Sequence, residues 1–185
     1  MGLIIEGGTG RGLSAAVTSE NRLATSAITA SVEHHANHYY GKAYSLLFSA
    51  TPTGADDCFL YIKNSNEEDM TIEGFSLHLV QSGYIELKLG DTGTPSDGTA
   101  ITPANLNSGS GDIADGTFQN GANIVDISGG TPVDKIYHET GAGSVHYNLE
   151  QDIILKKNGV LTMYAETGTV ALAGVLFFNY HNMED

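Results

Sequence analysis

From Ala43 onward the chain is a succession of short runs in which apolar and polar residues alternate, separated by Gly, Asp, Asn and Thr. Alternation at period two sends successive side chains to opposite faces, so each run predicts a strand with one buried face. AYSLLFSAT (43–51) is the first, closed by Pro52 and Gly54. CFLYIKN (58–64) is expected to put Leu60 and Ile62 on one face and Phe59, Tyr61 and Lys63 on the other. After the polar turn NSNEED, TIEGFSLHLV (71–80) turns Phe75, Leu77 and Leu79 inward and Ser76 and His78 outward. YIELKLG (84–90) sets Ile85, Leu87 and Leu89 against Glu86 and Lys88, the pattern of a half-buried antiparallel strand.

Further strands are expected at 133–140, 144–149, 152–157, 161–167 and 169–181, with Asn158-Gly159 as a hairpin signal. The stretch 90–131, rich in Gly, Thr, Asp, Ser and Asn, reads as long surface loops around one or two short strands, one of them at 123–128. A loop region of that length in a compact domain is usually an interaction element. About eight short strands without a long helix predict an all-β fold, an antiparallel β-sandwich of jelly-roll-like class.

Residues 1–42 break the pattern. MGLIIEGGTGRG holds five of the chain's 23 glycines and leads into a Ser/Thr/Ala run with no firm helical stripe. VEHHANHYY (32–40) could form a short helix stopped by Gly41. Such a segment buries too little apolar surface to fold alone and is expected to order by lying on another surface. The chain therefore divides, on this reading, into an extended N-terminal arm (1–42) and a sandwich body (43–185).

Charge sharpens that division. Residues 1–42 hold three acids and three bases, whereas 43–185 hold 19 acids and five bases, the whole net charge of −14. An acidic body argues against nucleic acid, whose affinity depends on Lys and Arg, and against anionic membrane surfaces. No apolar run approaches the roughly 20 residues of a membrane helix, and the start lacks the basic and apolar regions of a secretory signal. Cys58 is the one cysteine, so disulfides within the chain and thiolate clusters are excluded; its place in CFLYIK reads as a buried strand thiol.

Candidate chemistry is sparse. LIIEGGTGRG resembles a strand entering a phosphate loop, but Leu13 stands where the dinucleotide fingerprint needs glycine and no Gly-Lys-Ser/Thr follows. His34 and His38 share a face if helical, the spacing at which two imidazoles reach one metal ion. The competing reading makes them, with Tyr39 and Tyr40, polar contacts at a subunit surface. Asp56-Asp57, Glu67-Glu68-Asp69, Asp91/Asp97 and Asp112/Asp115 offer oxygen ligands without the spacing of a calcium loop, and solvated loop charge explains them more simply. With no nucleophile elbow and no selectable carboxylate pair, no enzymatic activity and no cofactor are expected.

Five elements in order are similar to a family of tailed-bacteriophage virion structural proteins: Asn21-Arg22-Leu23, Gly41-Lys42-Ala43-Tyr44, Leu60-Tyr61-Ile62-Lys63-Asn64, Ile72-Glu73-Gly74-Phe75, and the run Gly98 to Asn107 (GTAITPANLN). The resemblance spans about residues 21–181. It implies a non-enzymatic β-sandwich on the particle exterior, an outer-capsid decoration (cement) subunit whose partners are the major capsid protein and copies of itself, as a trimer. Residues 2–23 would then make the capsid contact, through Gly7, Gly8, Gly10 and Gly12 with Arg11 and Arg22 as charge anchors. The alternative is a tail- or fibre-associated carbohydrate-binding module, presenting the 90–131 loops with Tyr137 and Tyr147.

Overall fold

The computed structural model describes residues 16–17, 23–24, 37 and 40–181. The chain divides into two units, 1–31 and 32–185. In the first, β1 (Ala16–Val17) and β2 (Leu23–Ala24) form an antiparallel pair. The glycine and arginine positions expected to touch the capsid (Gly7, Gly8, Gly10, Arg11, Gly12, Arg22) and the expected metal pair His34 and His38 lie outside the described residues.

The second unit is all-β and antiparallel. Its principal strands are β3 (Ala43–Ala50), β4 (Asp57–Asn64), β5 (Asp69–Leu79) and β6 (Gly83–Leu89), followed by an excursion through residues 90–130. The return comprises β12 (Thr131–His138), β13 (Val145–Leu155), β14 (Val160–Ala165) and β15 (Leu172–His181). The pairing is nested: β3 lies against β15, β4 against β14, β5 against β13 and β6 against β12. The excursion continues the nest, with β7 (Thr92–Ser96) on β11 (Val125–Ser128) and β8 (Thr99–Ala100) on β10 (Gly116–Asn120); β9 (Ala104–Asn105), between these two in the chain, pairs with β3 instead.

Two large sheets result, a six-stranded one in the order β12-β6-β14-β4-β10-β8 and a five-stranded one in the order β13-β5-β15-β3-β9. Inward side chains of both form one apolar cluster, including Leu46, Leu60, Ile62, Ile72, Leu77, Leu87, Leu161 and Leu176, an arrangement compatible with a β-sandwich. Aromatic rings bridge the sheets: Phe48 meets Phe59 at 6.1 Å, and Phe118 stacks on Phe178 at 5.5 Å.

Several expectations need correction. Asn158-Gly159 does form a tight turn, with Asn158 at φ 65°, but the strands on either side belong to different sheets, so it is a crossover and not a hairpin. The separate strands expected at 144–149 and 152–157 are one strand, β13, whose register with β5 shifts between Asn148 and Ile153. The 90–131 stretch holds five strands, and β9 and β10 extend the edges of both sheets at β3 and β4. Phe59 faces the core beside Leu60, because a bulge opposite Met163 and Tyr164 inserts it as an extra residue and breaks the period of two.

Candidate functional site

The outward face of the six-stranded sheet carries a set of specific side-chain interactions. Its half nearest β4 is covered by the excursion. Ile124 and Ile127 pack there on Cys58, Tyr61, Val160 and Tyr164, a second apolar cluster separate from the main core. That cover explains why β4 is buried on both faces although its sequence alternates only loosely. Burial pushes the Cys58 thiol from its ordinary value up to about 12, and the group donates to the Leu60 carbonyl at 3.4 Å, as befits the structural thiol expected from its strand.

Asp91 closes the base of the excursion. Only 5% exposed, it accepts hydrogen bonds from the Gly130 amide (2.8 Å), the Thr162 hydroxyl (2.5 Å) and the Tyr164 hydroxyl (3.2 Å). One carboxylate thus ties the outgoing and returning ends of the excursion to β14. Burial first, then the neighbouring Cys58 and Asp91, pushes the Tyr164 hydroxyl well up, so it stays protonated and able to donate.

The uncovered half of the face carries charge and aromatic rings. Lys88 pairs with Glu86 at 3.0 Å and sits 4.0 Å from the centre of the Tyr164 ring. Lys135 pairs with Glu166 at 2.5 Å and lies 5.0 Å from the Tyr84 ring; the hydrogen bond to Glu166 pushes its ammonium up. Tyr84 and Tyr137 are directly opposed across β6 and β12, their rings 4.9 Å apart and tilted 48°, and both are about half exposed. A pair of accessible rings beside polar side chains can stack on the apolar face of a planar or cyclic ligand while the rim hydrogen-bonds it.

A second convergence lies where the chain enters β3. Asn105 donates through its amide to the carbonyls of Gly41 (2.6 Å) and Asp112 (2.9 Å), and Asn107 donates to the carbonyl of Asn37 (2.9 Å). Gly41 sits at φ 63°, and a Cβ there would lie 2.4 Å from the Ser110 hydroxyl, so only glycine fits. Residues of two distant elements, Gly41-Lys42-Ala43-Tyr44 and Asn105-Leu106-Asn107, therefore meet at the start of β3. Lys42 also pairs with Glu68 there at 2.5 Å.

The acidic clusters disperse. Asp57 accepts from the Thr53 amide and hydroxyl and from the Gly54 amide, closing a turn. Glu67 pairs with Lys157, and Asp69 with Lys156. No group of three or more His, Cys, Asp or Glu residues is placed to hold a metal ion among the described residues. Tyr147, expected at a sugar surface, instead packs half-buried against Phe75 at 5.2 Å. Tyr84, Lys135 and Glu166 escaped sequence reading, since Tyr84 is merely an outward residue until the register sets Tyr137 beside it. An open groove of about 580 Å³ near Ser49, Thr99, Asn120 and Leu172 has a small, neutral lining and no acid or base. No protein-family model, no curated protein and no solved structure matches this chain.

Proposed function

We propose that the chain is a non-enzymatic structural subunit of a tailed-phage particle, an outer-capsid decoration protein with a jelly-roll body and a gripping N-terminal arm. The observation that carries this reading is the nested pairing. Numbered in chain order, the eight principal strands make sheets 1-8-3-6 and 2-7-4-5, the order produced when one long hairpin folds over into two Greek keys. Jelly rolls, found in viral capsid and lectin domains and in cupins, are built on such an order, so it supports this reading without assigning the role. Further support comes from the two quoted sequence elements, 41–44 and 105–107, meeting where the arm would leave the body. Such a subunit stabilises a shell by mass action, binding the assembled lattice and not its dissociated parts.

Deleting residues 1–20 is expected to abolish binding to undecorated capsids, measured by co-sedimentation, while the circular dichroism and thermal transition of the body stay unchanged. A truncated chain that still saturates capsids would sink the arm as the gripping element. Electron cryomicroscopy of the particle should find regular copies on the shell; copies confined to the tail would exclude a decoration role.

The Tyr84–Tyr137 pair favours a second reading, a saccharide-binding surface on a tail or fibre. Under it, the full chain binds defined glycans on an array, and replacing both tyrosines by alanine weakens binding about tenfold or more, the effect of losing roughly 1.4 kcal/mol of stacking. Silence of the intact protein across the array removes this reading.

A further inference from the structure

Where β12 hands over to β13, the connection 139–144 brings two histidines of different sheets together. His138 ends β12 and is 1% exposed. His78, near the end of β5, is exposed. Because β13 begins opposite Leu77, β5 has no ladder partner on that side at His78. There the His78 and His138 rings stand 6.1 Å apart and nearly perpendicular, at 87°. The connection is tied down by reciprocal bonds: the Ser82 amide donates to the Thr140 hydroxyl at 2.7 Å, and the Thr140 amide to the Ser82 hydroxyl at 3.0 Å. His138 closes the same turn, its Nε2 lying 3.0 Å from the Gly143 carbonyl. A carbonyl oxygen only accepts, so in the neutral ring the hydrogen sits on Nε2 and Nδ1 carries the lone pair. That nitrogen is buried and has no hydrogen-bond partner. Such orphaned acceptors are rare inside folded proteins, and this one has a second imidazole beside it.

We propose that His138 and His78 bind a divalent transition-metal ion of the Zn²⁺, Ni²⁺ and Cu²⁺ group, with water completing its shell. Imidazole nitrogen suits these ions, whereas Ca²⁺ and Mg²⁺ take oxygen. The neutral ring with its lone pair on Nδ1 is the form that binds metal. Its other nitrogen donates to a backbone carbonyl, the support that metal-bound histidines usually have. At metal–nitrogen lengths of about 2.0–2.1 Å, two imidazoles on one ion hold their ring centres roughly 5–6 Å apart. The observed 6.1 Å lies at the upper end of that span, and His78, at the surface, closes the difference by turning about its side-chain bonds. One ligand is thus fixed by Gly143 and the other swings in from solvent. The net charge of −14 concentrates cations around the chain. His146, on the neighbouring strand, is engaged by Ser76 at 2.9 Å. With two protein ligands and no third among the described residues, the site is open to water and weaker than a closed structural zinc centre. The ion would clasp the end of β12 to β5 and so fasten one sheet to the other.

Titration calorimetry of the full chain with Zn²⁺, and with Ca²⁺ as the control ion, tests this. Zn²⁺ should bind and raise the midpoint of thermal unfolding by mass action, and Ca²⁺ should do neither at this site. His78→Ala changes a side chain that is already exposed, so the metal-free thermal transition should hold while Zn²⁺ affinity falls about tenfold or more. Replacing His34, His35 and His38 together with alanine should leave the binding in place. Cu²⁺ added to that triple variant should show, by electron paramagnetic resonance, nitrogen coupling from two imidazoles, reduced to one when His78 is alanine as well. Zn²⁺ binding that His78→Ala leaves intact overturns the proposal. So does binding that disappears with the triple variant, or a chain that takes up no Zn²⁺ at all.

Discussion

Replacing Phe178 with alanine is expected to remove about 3–5 kcal/mol of stability, the range for truncating a buried aromatic side chain. Phe178 is 1% exposed and is the hub of the core's aromatic network. It stacks on Tyr44 at 5.3 Å from within its own sheet, on Phe118 at 5.5 Å from the opposite sheet, and meets the edge of Tyr180 at 5.8 Å. Alanine would lose the transferred apolar area, leave a void between two sheets whose backbones are held by ladders on both sides, and strip three rings of a partner. For a chain of this length, a loss of that size lowers the midpoint of thermal unfolding by roughly 10 °C, measurable by scanning calorimetry. Phe178→Leu, which keeps much of the volume, should lose distinctly less. Equal losses for the two variants would mean that the void is not the cause.

Asp91→Ala is expected to lose about 3 kcal/mol, with the damage concentrated in the excursion. Its carboxylate satisfies three donors at once, and hydrogen bonds to a charged group contribute about 1.5–3 kcal/mol each without adding fully. With alanine, the Gly130 amide and the hydroxyls of Thr162 and Tyr164 lose their acceptor in a site closed to water. β10 stays bound by its ladder to β4 and by Phe118 in the core, so the part that depends on Asp91 is β7 with β11, otherwise held by the small cluster around Ile124 and Ile127 and backbone bonds such as Ile124 N–H to the Cys58 carbonyl. Hydrogen exchange should therefore accelerate in β7 and β11, at 92–96 and 125–128, before it does in β10, β5 or β15, and proteases should cut there first. Asp91→Asn, which keeps an acceptor oxygen but turns an N–H₂ toward donors, should fall between the two. Uniform acceleration over the whole body would assign Asp91 a global role and not a local clasp.

The positions at which sequence reading failed share one cause. Period two located β3, β5, β6 and β15 well, and Phe75, Leu77, Leu79, Ile85 and Leu87 are all buried as their alternation implied. It failed at Phe59, where a bulge set by the neighbouring strand reverses the facing of one residue. It failed again at Asn158-Gly159, because a tight turn is encoded in two residues, whereas the partner of each flanking strand lies on the far side of the nest. In the body, β3 pairs with β15 across about the whole length of the domain, and such pairings rest on loop closure and shared burial that no local window contains. The same holds for the candidate surfaces. Tyr84 and Tyr137 are unremarkable outward residues until the register sets them side by side.

By itself, then, the amino-acid sequence determined the all-β class, the positions and inward faces of most strands, the acidity of the body and the structural character of Cys58, because each follows from local alternation, composition or a single residue's setting. Only the tertiary structure decided the nested order of strands, the docking of residues 90–130 onto both sheets, the burial of Asp91 as a clasp, and the opposition of Tyr84 and Tyr137. Those are properties of pairs of residues far apart in the chain, and the free energy that selects them exists only when both partners are brought together out of water.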